Sequence, residues 1–397
     1  MNKAKVMDYV KKYTMILALI LVIIFFSIST GGKLLLPQNI ANLIAQNAYV
    51  FVLATGMLLA ILTGGNIDLS VGSVVCFVGT IGAVAMTSWG IPTIPAALLV
   101  LAVGLAIGAF QAYWIAYVRV PPFIVTLAGM LMFRGLSNVV LEGKSISLKD
   151  NKLFLQVFGG GADCYIPDIT VDINMFGITK IYVICCLVGV VAAAIYIFTV
   201  LRSRANKISK GYKVKPFISD LASMIIISAV LIVVSFMLAQ YKGIPTVLVW
   251  VLLVVLAYGY LTSKTTTGRY FYAVGGNEKA TKLSGINTNK IYFIAYANLG
   301  FLSGLAGLLV VARMTSAQPT AGQNYEMDAI GSCFIGGASA YGGVGTVPGV
   351  IIGATLMGII NQGMSIMGVD ANWQKVVKGV VLLVAVIFDV VSKRQKD

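Results

Sequence analysis

The chain has 397 residues, 58% of them hydrophobic and only 11% charged. A soluble domain is about a quarter charged, so a mainly water-facing protein is excluded. Histidine is absent, which removes histidine proton relays and histidine metal ligands. The net charge of +15 points to no nucleic-acid partner, because it sits in loops between apolar runs, where it sets topology.

Apolar runs long enough to cross ~30 Å of hydrocarbon, about 20 residues each, fall at 14–30, 40–62, 69–88, 94–118, 121–141, 181–200, 219–239, 244–262, 291–312, 349–367 and 376–392, with a short glycine-rich piece at 329–341. The expected fold class is all-α: a polytopic membrane protein of ten to twelve transmembrane helices with at least one broken or re-entrant segment, in one transmembrane domain over 1–397. The first run, TMILALILVIIFFSIST, follows lysines and ends near Ser27 and Ser29 as a signal peptide would. It is longer than a signal core and reads as a retained signal anchor.

With the N-terminus in the cytoplasm, alternate loops collect Lys3, Lys5, Lys11 and Lys12; Arg119; Arg202, Arg204, Lys207, Lys210, Lys213 and Lys215; Lys264, Arg269, Lys279, Lys282 and Lys290; and Lys393, Arg394 and Lys396. These are most of the 29 basic residues, and loop bias in Lys and Arg sets orientation. Both termini are therefore expected in the cytoplasm, which needs an even number of crossings. Residues 329–341 must then cross or re-enter, although CFIGGASAYGGVG is too short and glycine-rich for an ordinary span. Such backbone survives at membrane depth only inside protein or beside a water-filled cavity.

Between the second and third runs lies GGNIDLSVG (64–72). An Asp bare at mid-helix in lipid costs about 2.5–3.5 kcal/mol, so Asp68 is expected as the N-cap of the helix that follows, accepting from amides two or three residues on. Two readings of this element stay open: a plain cap at the membrane edge, or a helix start facing a substrate cavity. Asn66, Asp68 and Ser70 are the path candidates it supplies. Residues 142–180, with Glu142, Asp150, Asp163, Asp168 and Asp172, fall outside the spans as an extracytoplasmic insertion. RSRANKISKGYKVKP (202–216) reads as a basic cytoplasmic linker near anionic lipid.

The loop TSKTTTGRYFYAVGGNEKATKLSGINTNK (262–290) is charged and rich in helix formers. Within it NEKATKLSG reads as a short helix, with Asn277 as cap, Glu278 in the first turn and Gly285 as stop. It is either a solvated connection or a docking element. No GxxxxGK[ST] occurs, so no Walker-type ATP site is expected in this chain.

Further on, GGVGTVPGVIIGATLMG (342–358) faintly echoes 64–79, as inverted repeats do in transporters. Glycines 345, 349, 353 and 358 are expected to allow close helix packing. Asn361 and Gln362 lie in the same span, and Asn298 in the one before. Such amides either glue helices or bind a hydroxylated solute. Arg134, in LMFRGLSNVV, is the cation expected inside the membrane and by default a functional candidate. Cys76, Cys164, Cys185, Cys186 and Cys333 are odd in number and mostly within spans, so neither a disulfide framework nor a metal site is expected.

GGNIDLSVGS, GRYFYAVGGNEKATKLSGINTNKI, GGVGTVPGVIIGATLMGIINQGM and NWQKVVKGVVLLVAVIFD together resemble the permease subunits of bacterial ATP-binding-cassette monosaccharide importers, the ribose, galactose, xylose and multiple-sugar branch. The resemblance runs in order from about residue 40 to 392. Two departures are visible: Asn66 is extra in the first motif, and 142–180 and 202–240 lengthen the chain, which leans toward the xylose or multiple-sugar branch. The resemblance implies a multi-pass bacterial inner-membrane protein that works as a homodimer. It implies a cytoplasmic ATPase partner that carries ATP-Mg, and an extracytoplasmic sugar-binding protein. It implies no catalysis and no cofactor in this chain. The 262–290 loop then becomes the ATPase-docking segment, through Gly268, Arg269, Gly275, Gly276, Asn277, Glu278, Ala280 and Gly285. Asn66, Asp68, Ser70, Arg134, Asn298, Asn361 and Gln362 are the candidates for the translocation path. An ion-coupled secondary sugar transporter, using Asp68 and Arg134, is the alternative. A membrane enzyme acting on a lipid-linked sugar is a third.

Overall fold

Among the described residues, eight helices are long and apolar enough to cross a membrane. The structure is a computed structural model that describes residues 3–160, 164–175, 178–212, 214 and 216–394. Asp163, Lys213, Lys215 and Lys396, named above, lie outside them. In chain order the helices are α1 (Lys3–Ser29), α2 (Pro37–Leu62), α3 (Val71–Thr87), α4 (Thr93–Ala116), α5 (Pro122–Leu141), α6 (Lys152–Phe158), α7 (Val183–Ser209), α8 (Phe217–Ala239), α9 (Thr246–Lys264), α10 (Thr266–Gly276), α11 (Glu278–Leu283), α12 (Thr288–Met314), α13 (Tyr325–Ile335), α14 (Val347–Ile366) and α15 (Ala371–Arg394). Lipid offers no hydrogen-bond partner to the backbone, so apolar runs settle as helices. Two are short: at 1.5 Å per residue α3 reaches about 25 Å and α13 about 16 Å. The glycine-rich piece at 329–341 is thus half helix and half turn, as its composition demands.

The chain divides into two compact units. The first holds Met1–Leu34, Leu43–Ala162 and Val247–Asp397. Its core is α2 and α12, where Leu53, Met57, Leu58, Ile61, Leu299 and Leu302 are sealed from solvent. Helix α12 packs along α4 through facing small residues. A Cβ at Gly300 would strike Gly108 of α4, and one at Gly108 would lie 2.7 Å from the Tyr296 carbonyl oxygen. Gly104-Leu-Ala-Ile-Gly108 and Gly300-Phe-Leu-Ser-Gly304 are thus a matched GxxxG pair. On α14, Gly349 and Gly353 press on the backbone of Gly336 and Ser332 at the end of α13. Gly345 was expected on that helix but precedes it. Thr346 begins α14, its Oγ1 accepting from Gly349 N at 3.2 Å. Strand β1 (Ile146–Ser147) pairs antiparallel with β4 (Ser316–Ala317).

The second unit, Leu35–Asn42 and Asp163–Thr246, contains the antiparallel hairpin of β2 (Thr170–Met175) and β3 (Ile178–Tyr182). In it α7 and α8 pack on each other. Asp168 supports the first turn of α7 from outside it, its carboxylate accepting from Ile184 N at 2.7 Å and Cys185 N at 2.8 Å. The expected linker 202–216 is shorter than the sequence reading placed it. Helix α7 runs on through Arg202, Arg204 and Lys207 because RSRANKIS has no helix breaker before Gly211, which takes φ +72°.

Candidate functional site

The 262–290 segment folds as two helices, α10 and α11, rather than one helix in a loop. Thr265 caps α10, accepting from Gly268 N at 3.0 Å, and Asn277 caps α11, accepting from Ala280 N at 2.9 Å. Gly285 follows α11 at φ +81°, the left-handed position that ends many helices. Cap and stop stand where the sequence put them.

The Glu278 side chain turns inward. Its carboxylate sits 2.8 Å from the Arg119 guanidinium and accepts from Thr288 Oγ1 and Tyr292 OH, each at 3.1 Å. Arg119 lies at the elbow between α4 and α5, donates to Asn289 Oδ1, and rests 5.2 Å from the Tyr292 ring centre. Burial pushes the Glu278 carboxyl up, but the Arg119 hydrogen bond and charge, with Thr288 and Tyr292, hold it below the usual range. It is therefore ionised at neutral pH and ties α11 to the α4–α5 elbow and the start of α12. The outward face of α11 shows Lys279, Lys282 and Leu283, the last 90% exposed.

Three glycine pairs from distant parts of the chain meet where α10 ends. A Cβ at Gly275 would overlap the Leu62 carbonyl oxygen and the Gly343 amide; one at Gly65, which holds φ +74°, would overlap the Ala340 carbonyl. A Cβ at Gly342 would lie 2.8 Å from Gly65 N, and one at Gly343 2.9 Å from Gly276 N. Gly343 N donates to Leu62 O at 3.0 Å, and Tyr272 OH of α10 donates to Gly345 O at 3.0 Å. From α15, Asp389 Oδ2 accepts from Ala340 N at 3.1 Å. The faint echo between 64–79 and 342–358 is thus also a physical contact. All four quoted motifs reach this junction.

Behind the junction lies a polar chain inside the bundle. Helix α3 begins at Val71 with Ser70 at its cap position; Asp68 stands two residues earlier. Asp68 Oδ1 accepts from Ser70 N and Oγ, both at 2.7 Å, so the expected acceptance two residues on is present although Asp68 is not itself the cap. The Ser70 hydroxyl reaches the Gln111 amide at 2.9 Å, which fits only because residue 129 is glycine. Arg134 binds backbone, donating to Pro319 O at 3.2 Å and Ala321 O at 2.6 Å, and so secures the irregular stretch before α13. Glu326 of α13, in electrostatic reach of Arg134, is buried.

The sequence reading missed one buried pair. Asp328 of α13 is 2.9 Å from Lys378 Nζ of α15 and accepts from Tyr49 OH of α2 at 2.7 Å. Tyr49 in turn stacks on Tyr325, ring centres 3.6 Å apart. The signal was Lys378, a cation inside an expected span, for which the default is a buried acidic partner.

The remaining candidates do not gather. Asn66 makes a long contact to Thr63 Oγ1, 3.4 Å. Asn298 Oδ1 accepts from Tyr258 OH and joins α12 to α9. Asn361 and Gln362 lie on α14, each with a buried amide oxygen lacking a hydrogen-bond partner among the described residues. Gly276 and Gly285 have open space where a side chain would stand, whereas Gly268 abuts Leu261 and Thr262. Arg269, between them on α10, is exposed.

A family model described as "Branched-chain amino acid transport system / permease component" matches residues 161–386. The chain is 38% identical over 384 residues to the xylose transport system permease protein XylH of Haemophilus influenzae, covering 96% of this chain and 97% of that one. It is 33% identical over 383 residues to XylH of Escherichia coli K12, covering 96% and 92%. To the ribose import permease protein RbsC of Escherichia coli K12 it is 34% identical over 359 residues, covering 90% and 87%. No solved structure matches the chain.

Proposed function

The chain belongs to the permease-component family of branched-chain amino acid transport systems, and from that premise we infer that it is the membrane-spanning permease of an ATP-binding-cassette sugar importer. It is a transport component, not an enzyme. It forms the path for a monosaccharide handed over by an extracytoplasmic binding protein. A cytoplasmic ATPase partner holds ATP-Mg and drives the cycle, and two copies of this chain enclose the path. The sugar is a pentose, since the relatives named for xylose and ribose span nearly the whole chain. Both termini and the α10–α11 segment face the cytoplasm, following the basic loops.

The observation that supports this mechanism is the glycine junction. The surface offered to the ATPase is α11, with Lys279, Lys282 and Leu283 outward. The end of α10, just before it, is in backbone contact with Leu62 at the end of α2 and with Gly343, and Ala340 and Gly342 in turn touch Gly64 and Gly65. Close packing without intervening side chains makes these segments move together, because packed interfaces shift between discrete arrangements and deform little. A displacement of α11 by the ATPase is thereby passed to the helix starts that carry Asp68, Ser70 and, behind them, Gln111 and Arg134. Among the path candidates Asn361 and Gln362 offer the unpartnered amide oxygens to a sugar hydroxyl.

The test is reconstitution of the purified chain with its ATPase and binding protein, followed by uptake of labelled xylose and ribose. Uptake should require ATP and the binding protein and should survive a protonophore. Uptake without ATP, abolished by the protonophore, would establish ion coupling instead.

The Glu278 network makes a separate prediction. Glu278→Lys sets a second cation against Arg119 and should abolish uptake while the chain inserts normally. Arg119→Glu should do the same. The exchange of both, Arg119→Glu with Glu278→Arg, should recover a measurable part. Full activity in either single variant would show that the network carries no coupling.

A further inference from the structure

We propose that the ends of α7 and α8 near Ser209 and Phe217 form a binding site for an anionic phospholipid headgroup. A cavity of about 370 Å³ opens there, lined by Val200, Ser203, Arg204 and Lys207 of α7, Val214 of the connection and Asp220 of α8. Val200, Ser203, Arg204 and Lys207 share one side of α7 by their spacing of three and four residues. The apolar wall and the cationic rim suit a molecule with an acyl chain and a phosphate.

The charges are arranged for an anion. Asp220 lines the same cavity, but Arg204 neutralises it by a direct ion pair, and the Arg204 guanidinium is braced 5.4 Å from the Phe217 ring centre. No carboxylate pairs with Lys207 among the described residues, and the Ser203 hydroxyl makes no hydrogen bond there; both are exposed. One ammonium and one hydroxyl donor therefore remain, beside a fixed guanidinium. Arg202 and Lys210, also exposed, add to the local field. A phosphodiester with one negative charge fits this set, with its chain against Val200 and Val214. Basic pockets between helices at the cytoplasmic face are recognised lipid headgroup sites. This assignment rests on the cytoplasmic orientation given above, which places the cavity at the anionic leaflet.

The experiment titrates the purified full-length chain with phosphatidylglycerol, phosphatidylcholine or inorganic phosphate and counts adducts by native mass spectrometry. Wild type should bind phosphatidylglycerol more tightly than phosphatidylcholine. Lys207→Ala should weaken phosphatidylglycerol about fivefold, the factor equivalent to about 1 kcal/mol per basic side chain near an anionic surface. Lys264→Ala, a basic residue on α9, should leave it unchanged. Equal binding by Lys207→Ala and wild type, or an equal loss in Lys264→Ala, would overturn the site. Displacement of the lipid by inorganic phosphate would make it a free-anion site and overturn the lipid assignment. Orientation is checked separately by labelling Ser209→Cys with an impermeant maleimide. Labelling above the parent chain in inverted vesicles supports it, whereas labelling in right-side-out vesicles removes the premise without touching the lipid measurement.

Discussion

Gly275→Ala should lower sugar uptake at least about tenfold, and Gly276→Ala, one residue on, should leave it nearly intact. The two glycines are adjacent in the sequence and differ sharply in what surrounds them. A methyl at Gly275 overlaps the Leu62 carbonyl and the Gly343 amide, whereas one at Gly276 meets nothing within 4 Å. Overpacking costs about 1–3 kcal/mol where side chains can give way, and here the obstacles are backbone. Relief requires α10 to lift from the end of α2, which separates α11 from both glycine-rich turns. We expect Gly275→Ala to insert and to retain the ATPase, yet to lose at least about tenfold in transport, a change of about 1.4 kcal/mol in the rate-limiting barrier. Uptake assays on membranes matched for permease content check this. Equal activity of the two variants would mean that the junction is not a coupling element.

Lys378→Met is expected to destabilise the chain strongly. It leaves Asp328, 1% exposed, as a buried carboxylate without its cation. Breaking a buried pair from one side costs about 3–5 kcal/mol, whereas replacing both partners with apolar groups is often neutral. The double variant Lys378→Met with Asp328→Leu should therefore unfold close to wild type, while Tyr49→Phe, which removes one hydrogen bond to a charged group, costs about 1.5–3 kcal/mol. Thermal unfolding in a fixed detergent measures all three. A double variant as unstable as Lys378→Met would show that the pair organises the bundle by geometry and not by charge.

Local rules made several elements legible in the sequence. Asn277 as cap, Gly285 as stop and the amide acceptance by Asp68 depend on residues within three positions, and they stand as expected. The spans were legible because apolar length is itself the physical requirement. What remained hidden depends on partners far along the chain. Nothing local links Arg119 to Glu278, so the ion pair that holds the Glu278 carboxylate was not legible in the sequence. The glycines of GGVGTVPG read as helix packing and those of AVGGNEKAT carried no explanation of their own, and the real constraint is that they touch each other. Helix α10 was read as loop because its apolar face is short, and it is the segment that carries Gly275 and Tyr272 into the junction. Asp328 lay at the edge of a segment already irregular, so its pairing with Lys378 could be suspected only from the cation.

The central claim, that α11 is where an ATPase drives this permease, is tested most directly by a photo-crosslinking amino acid at position 283 in native membranes that show sugar uptake. Leu283 is the most exposed large apolar side chain on that helix. Illumination should yield one adduct, with an ATP-binding-cassette ATPase, and the same group at Trp373 should yield none. Absence of an ATPase adduct from position 283, in membranes where uptake is intact, would contradict the claim.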